Sequence, residues 1–253
     1  MKHFFIFLLF IPVITFSKDN EIGIVYNDFT SCTNGDFEAV LAVDHAQWTA
    51  LLSKYVTKEG KVDYEGFKTE EKALHDYLDV LKANAPSEFW SKKETLAYWI
   101  NAYNAFTVQL ILDNSSVKSI TDIQDPWDKT FIIIENKTYS LGYIEHNILR
   151  KGDEPRIHFA INCASYSCPI LLNEAYTADR LDAQLEVASY RFVNDDTKNT
   201  ITKGAIEISK IFEWFAEDFE EEGIVSFLNT YSTVKINADA QMTYKAYNWN
   251  LNN

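Results

Sequence analysis

The chain has 253 residues, 47% apolar, 24% charged and 15% aromatic, with 23 basic residues against 37 acidic ones. A formal charge of −14 argues against a nucleic-acid partner, which needs a basic footprint, and against an anionic membrane surface. Only 8 glycines and 5 prolines rule out a low-complexity or linker protein, and the length suffices for one domain with a sizeable core.

The N-terminus reads Met1-Lys2-His3, then the apolar run Phe4 to Phe16, then Ser17-Lys18-Asp19. A short basic start, an apolar stretch and a small residue before polar sequence describe a secretory signal over residues 1–17. The run is shorter than the ~20 residues a membrane span needs. An exported product, periplasmic or secreted, is expected, with no integral span after signal removal. Residues 18–43 read as a polar leader and 44–253 as a single globular domain.

From Asp44, a candidate cap, Trp48, Leu51, Leu52 and Tyr55 recur at helical spacing. Glu59-Gly60-Lys61 is a turn. Val62, Tyr64 and Phe67 lead into a second helix carried by Leu74, Tyr77, Leu78 and Leu81. Pro86-Ser87 opens the third and longest helix, with Ser91 and Glu94 spaced as a capping box, and Asp113 to Ser116 ends it. Phe131–Ile134 and Thr138–Leu141 flank Glu135-Asn136-Lys137 as a β-hairpin. Leu141–Arg150 is a short helix stopped by Gly152-Asp153. Arg156 to Cys163 alternates Ile157, Phe159 and Ile161 with His158, Ala160 and Asn162, the pattern of a strand. Pro169 begins a helical stretch, Thr177 opens a helix through Val193, and Ala205–Ile208 is a short strand. Phe212–Phe219 and Ile224–Tyr231 are short helices, and Met242–Leu251 is strand-like. Helices outnumber strands without regular alternation. The fold class is α+β: a single domain, predominantly helical, with a small, mainly antiparallel sheet.

Reactive groups concentrate between Arg156 and Pro169. On a strand, His158 and Asn162 share a face. Cys168 directly precedes Pro169, a residue suited to the first helical position, so the thiol would sit at a helix N-cap that favours a thiolate. Four readings fit. One thiol is a nucleophile with His158 or His146 as base. Cys163 and Cys168 form a structural or redox disulfide, which an oxidising compartment permits. The segment is buried scaffold. Or His158, Cys163 and Cys168 hold a metal, although their spacing matches no familiar zinc pattern. The three cysteines are an odd number, so at least one is unpaired or bonded between chains. No histidine follows Cys163, which excludes a papain-type order, whereas a His-then-Cys order stays open.

Glu145 and His146 are neighbours on a helix and therefore do not face one another; a surface or capping pair is the plain reading. On the third helix Glu94 and Asn101 share a face, with Asn104 beside Asn101. Buried amides there need partners, either a catalytic imidazole and substrate or a neighbouring loop.

His45-Ala-Gln-Trp48, Tyr98 to Ala105, Ile144-Glu-His146, Ile148-Leu-Arg150, Arg156 to Cys163 and Ser167-Cys-Pro169 together resemble the family known as domain of unknown function 547. Ile211 to Phe219 and Tyr247 to Asn252 fit as well, and the resemblance spans roughly residues 44–252. Asn248 stands where the family tends to carry an acidic residue. The resemblance implies that the Asn-Cys and Ser-Cys-Pro elements, the Glu-His pair and the Asn-rich helix are family features. It implies no activity.

Residue chemistry points to a cysteine-dependent hydrolase or acyltransferase acting on an amide or thioester. Cys168 or Cys163 attacks, His158 or His146 takes the proton, and Glu94, Asn101 or Asn162 orients or stabilises. Asn104, Arg156 and Ser167 are candidate binding residues for a small-molecule or peptide substrate. No cofactor and no metal are indicated. The alternative is a non-catalytic envelope binding or scaffold protein with a structural or redox Cys163–Cys168 pair.

Overall fold

The computed structural model describes residues 42–221 and 223–253. The expected signal, nearly all of the leader and Cys32 lie outside them. Helix α1 (Ala46–Tyr55) buries Trp48, Leu51, Leu52 and Tyr55, the periodic residues of the sequence. Its cap position is His45, while the Asp44 carboxylate accepts the Ala46 N–H at 2.9 Å. Gly60 follows with φ +83°, and a Cβ there would stand 2.3 Å from Ile170 Cβ, so the close approach requires glycine. The second predicted helix is two: α2 (Tyr64–Thr69), capped by Asp63, and α3 (Glu71–Ala83). They break at Glu70, whose carboxylate pairs with Lys54.

Helix α4 (Lys92–Asp113) starts after Ser91 rather than at Pro86-Ser87, because Ser91 and Glu94 form the reciprocal capping box. Every residue from Ala97 to Leu112 is buried, so α4 is the central helix, covered on all sides rather than on one stripe. Strands β1 (Ile132–Ile134) and β2 (Lys137–Tyr139) pair antiparallel, Ile133 opposite Thr138. Helix α5 (Leu141–Asn147) follows and gives way to a 3₁₀ turn, Leu149–Gly152, earlier than the expected helix end at Arg150.

Residues 156–163 are not a strand. Pro155–Phe159 is a 3₁₀ turn, with Pro155 at its start and the Glu154 carboxylate accepting the Arg156 N–H at 3.1 Å. Ile157 to Asn162 are all buried, so the alternation read from the sequence does not divide core from solvent. Ile157, Ala160 and Ile161 join a cluster built on α1 to α5, while Phe159 joins a second cluster rich in phenylalanine. The Asn104 amide replaces a strand ladder: Nδ2 donates to Ala160 O at 2.9 Å and Oδ1 accepts Asn162 N–H at 2.8 Å. No helix begins at Pro169, and residues 169–177 are irregular. The next helix, α6 (Leu181–Val193), begins later than Thr177, whose N–H instead reaches Gln184 Oε1.

Strands β3 (Thr200–Ile201) and β4 (Ala205–Ile208) pair antiparallel. Between β4 and the last strand, α7 (Ile211–Trp214), a 3₁₀ turn at Ala216–Phe219 and α8 (Ile224–Tyr231) pack Phe212, Phe219 and Phe227 around Phe159 and Phe192. Strand β5 (Gln241–Tyr244) adds to β4 in parallel, the one departure from an antiparallel pattern among the described strands. It ends at Tyr244, well short of Leu251. Beyond it, Asn250 and Leu251 make single antiparallel bridges to Ser119 and Ser165. The architecture is α+β. Among the described residues no helix is long and apolar enough to cross a membrane.

Asn104→Ala leaves a buried carbonyl and a buried N–H without partners and is expected to cost about 2–4 kcal/mol of unfolding free energy. Glu94→Ala, which removes half of a capping box, is expected to cost about 1 kcal/mol. Denaturant titration of the two variants checks the ordering.

Candidate functional site

Cys163 and Cys168 are joined in a disulfide across a tight loop. Ala164 adopts φ +61°, and Asn162 Oδ1 accepts its N–H at 2.9 Å, which bends the loop back on itself. Asn162 Nδ2 donates to Pro169 O at 2.6 Å and closes the other side. Residues 248–252 then clamp the loop. Tyr166 N–H donates to Asn250 O at 2.7 Å, Ser167 N–H to Asn248 O at 3.2 Å, and Asn252 N–H to Ala164 O at 3.1 Å. Ser167 Oγ accepts Asn248 N–H at 2.9 Å.

Hydrogen-bond donors converge on the sulfurs. Cys163 N–H donates to Cys168 Sγ at 3.0 Å, and the Tyr247 hydroxyl donates to the same sulfur at 3.3 Å. Tyr247 Oη also stands 3.4 Å from Cys163 Sγ, and Ser165 Oγ stands 3.2 Å from it. Ser165 donates in turn to Tyr247 Oη at 3.1 Å. Burial holds the Tyr247 hydroxyl well above its ordinary pKa, so it stays protonated. Cys168 is buried and Cys163 half-buried. Cys168 N–H bonds Ser165 O in a turn, at 3.1 Å, so the thiolate-favouring helix N-cap expected at this residue does not exist.

Both cysteines line a cavity of about 200 Å³, with His158, His146 and Glu145 on its wall and Trp127, Trp214, Tyr247 and Trp249 around it. His158 Nε2 lies 2.6 Å from Asp218 Oδ2, and its ring stacks on Phe215 at 4.2 Å. Asp218 also takes a two-pronged bond from Arg150, Nε at 2.6 Å and Nη2 at 2.7 Å. Burial works to raise the Asp218 pKa, but the His158 and Arg150 hydrogen bonds outweigh it and the carboxyl sits well below the usual range. Burial dominates at His158 and lowers its pKa against the pull of Asp218. A neutral imidazole beside an ionised carboxylate must carry its proton on Nε2, which leaves Nδ1 as an acceptor. His146 Nδ1 accepts from Arg150 Nη1 at 3.1 Å, and burial together with the guanidinium lowers its pKa. Among the described residues no cluster of His, Cys, Asp and Glu has the arrangement of a metal site.

His158, His146, Cys163 and Cys168 therefore share one cavity. The remaining candidates act elsewhere. Glu94 caps α4. Asn101 grips a neighbouring loop, donating to Tyr176 O at 2.8 Å and accepting Tyr176 N–H at 3.0 Å. Asn104 and Asn162 brace the backbone that carries the cysteines. Ser167 pins the clamp, and Arg156 is held by Glu154 at 2.6 Å, with Asp182 and Glu186 each at 3.6 Å. His158 and Asn162 share no strand face, because the segment that carries them is not a strand.

Asp218 and Tyr247 are site residues that the sequence does not single out, and Glu145 is one that it reads as half of a surface or capping pair. Asp218 lies 60 residues from its histidine, a pairing that no local spacing encodes. Tyr247 and Asp218 both sit in motifs that carry the family resemblance, which is the available signal. Glu145 is not a surface residue: it is buried, and its Oε2 accepts the Tyr103 hydroxyl at 3.2 Å. Burial raises its pKa to about 7, against the smaller opposing effects of Tyr103 and Arg150.

Residues 87–193 match the family model described as Protein of unknown function, DUF547. The match takes in His146, His158, Cys163 and Cys168. No curated protein and no solved structure matches the chain.

A carboxyl whose pKa is raised on folding binds a proton that the unfolded chain releases, so it removes stability as pH rises from about 4.5 through about 7. Glu145→Gln is expected to gain roughly 3 kcal/mol on the parent protein between pH 4 and pH 8. Chemical denaturation of both proteins at the two pH values measures this.

Proposed function

Since residues 87–193 match the DUF547 family, described only as proteins of unknown function, we propose that the chain is an exported thiol–disulfide exchange protein whose reactive bond is Cys163–Cys168. The observation that carries the reading is the pair of donors on Cys168 Sγ, Cys163 N–H at 3.0 Å and Tyr247 O–H at 3.3 Å. A disulfide sulfur is a weak acceptor, whereas a thiolate at the same place takes charge-assisted bonds. The donors are thus worth most after the bond has opened, and they lower the pKa of the leaving thiol.

Neutral His158, with Nδ1 as acceptor, takes the proton of a substrate thiol in the cavity. The substrate thiolate attacks Cys163 Sγ, the sulfur of the less buried cysteine. A substrate–Cys163 bond forms as the Cys163–Cys168 bond breaks, and the electron pair goes to Cys168 Sγ between its two donors. A second substrate thiolate attacks the substrate sulfur of this mixed disulfide and releases an oxidised substrate and the Cys163 thiolate. Two substrate thiols lose two electrons, and the protein disulfide gains them. Read backwards, the reduced protein reduces a substrate disulfide. A disulfide suits an oxidising compartment, which fits the signal read at residues 1–17.

The His158–Asp218 pair supports a second reading, the cysteine-dependent hydrolase or acyltransferase. In the reduced protein Cys163 or Cys168 would attack an amide or thioester carbonyl, with His158 as base and Asp218 orienting it. An acyl-cysteine trapped by mass spectrometry from the reduced protein would favour it.

Incubation with glutathione is expected to open the disulfide and to yield a mixed disulfide on Cys163 rather than Cys168, located by peptide mass spectrometry. Tyr247→Phe should slow the opening about tenfold, the worth of one hydrogen bond to a charged group. A bond that stays closed under excess glutathione would sink the exchange reading and leave a structural cross-link.

A further inference from the structure

Exchange uses the sulfurs, Tyr247 and His158, and leaves Glu145 without a part. Glu145 lines the same cavity and is 7% exposed. Among the described residues its side chain has one hydrogen-bond partner, the Tyr103 hydroxyl on Oε2 at 3.2 Å, and no ion pair. The Arg150 guanidinium is occupied by Asp218. A buried carboxylate without a cation is costly, and burial accordingly favours its protonated form.

The same cavity carries aromatic rings in mutual contact. Trp249 lies 5.5 Å from Trp127, 5.7 Å from Trp214 and 4.4 Å from Tyr247, centroid to centroid. Trp214 is 46% exposed, a large apolar surface left in water beside the cavity. Indole faces attract cations, most strongly where water is excluded. The chain's net charge of −14 draws cations towards it.

We propose that this cavity binds a primary amine carried on a flat apolar body, the ammonium against Glu145 and the body against Trp127, Trp214 and Trp249. The inference rests on the reading of the cavity as the substrate site, and it names the substrate class: thiols or disulfides that bear an amine. An ammonium supplies the charge and the hydrogen-bond donors that the Glu145 carboxylate lacks, whereas a hydroxyl supplies no charge. The neighbouring groups leave the negative charge on Glu145. Asp218 is matched by Arg150 and His158, the lowered pKa of His146 keeps it neutral, and burial keeps the hydroxyls of Tyr103 and Tyr247 protonated.

The test is calorimetric titration of the oxidised protein, with no thiol present. The probes are 2-phenylethylamine against 2-phenylethanol, and tryptamine against tryptophol, whose amines stay charged at both pH values used. At pH 8 the free amines are expected to bind at least about tenfold tighter than their uncharged counterparts. That preference should shrink about tenfold at pH 6, where Glu145 is mostly protonated. Glu145→Gln should abolish it. Equal affinity for amine and alcohol, no binding of either amine, or a preference that survives in Glu145→Gln overturns the inference. Failure here leaves the exchange reading intact, because the titration involves no sulfur chemistry. Conversely, a disulfide inert to glutathione leaves the amine titration fully readable.

Discussion

The side chain of Asn104 is the constraint on which the site depends. It projects from the middle of α4, buried on every side, and its amide takes both the Ala160 carbonyl and the Asn162 N–H. A neighbouring strand would ordinarily satisfy those backbone groups. Because one amide does so instead, the chain from Pro155 to Cys163 can run between two cores without joining a sheet. His158 then faces Asp218 on one side, and the cysteine loop emerges on the other. The rigidity of the central helix is passed to the sulfurs through two hydrogen bonds.

Asn162 repeats the device one step further along. Its side chain ties Ala164, Pro169 and Asn252 together, three points that no regular element connects. Asn101 does the same for Tyr176. The asparagines singled out for possible chemistry thus act as backbone surrogates. Their contribution to function is the placement of other residues' atoms.

Much of the fold was legible because local rules dominate there. The capping box at Ser91 and Glu94, the hairpin around Glu135, and the apolar spacing of α1, α3 and α8 are each decided within a few residues. The segment 156–163 misled because alternation signals only that successive side chains face different ways. Here both sets of side chains are buried, the apolar ones divided between two cores and His158 and Asn162 hydrogen-bonded inside the protein, so the same pattern arose without a strand. The helix after Pro169 failed for a related reason: proline suits a helix start but does not create one, and Asn162 holds the Pro169 carbonyl. Within the site, the cysteines and His158 were visible from their chemistry. Asp218 and Tyr247 were hidden because their partners lie 60 and 79 residues away.

The Cys163–Cys168 cross-link spans a sequence separation of only 5. Closing so short a loop removes little freedom from the unfolded chain, about 2 kcal/mol in the loop-entropy picture, against about 5 for a loop of roughly a hundred residues. The loop is also held by the backbone of residues 248–252 and by Asn162, none of which needs the bond. Opening this bond is therefore expected to leave the surrounding architecture assembled, so that oxidised and reduced proteins would differ mainly in the chemistry of two atoms.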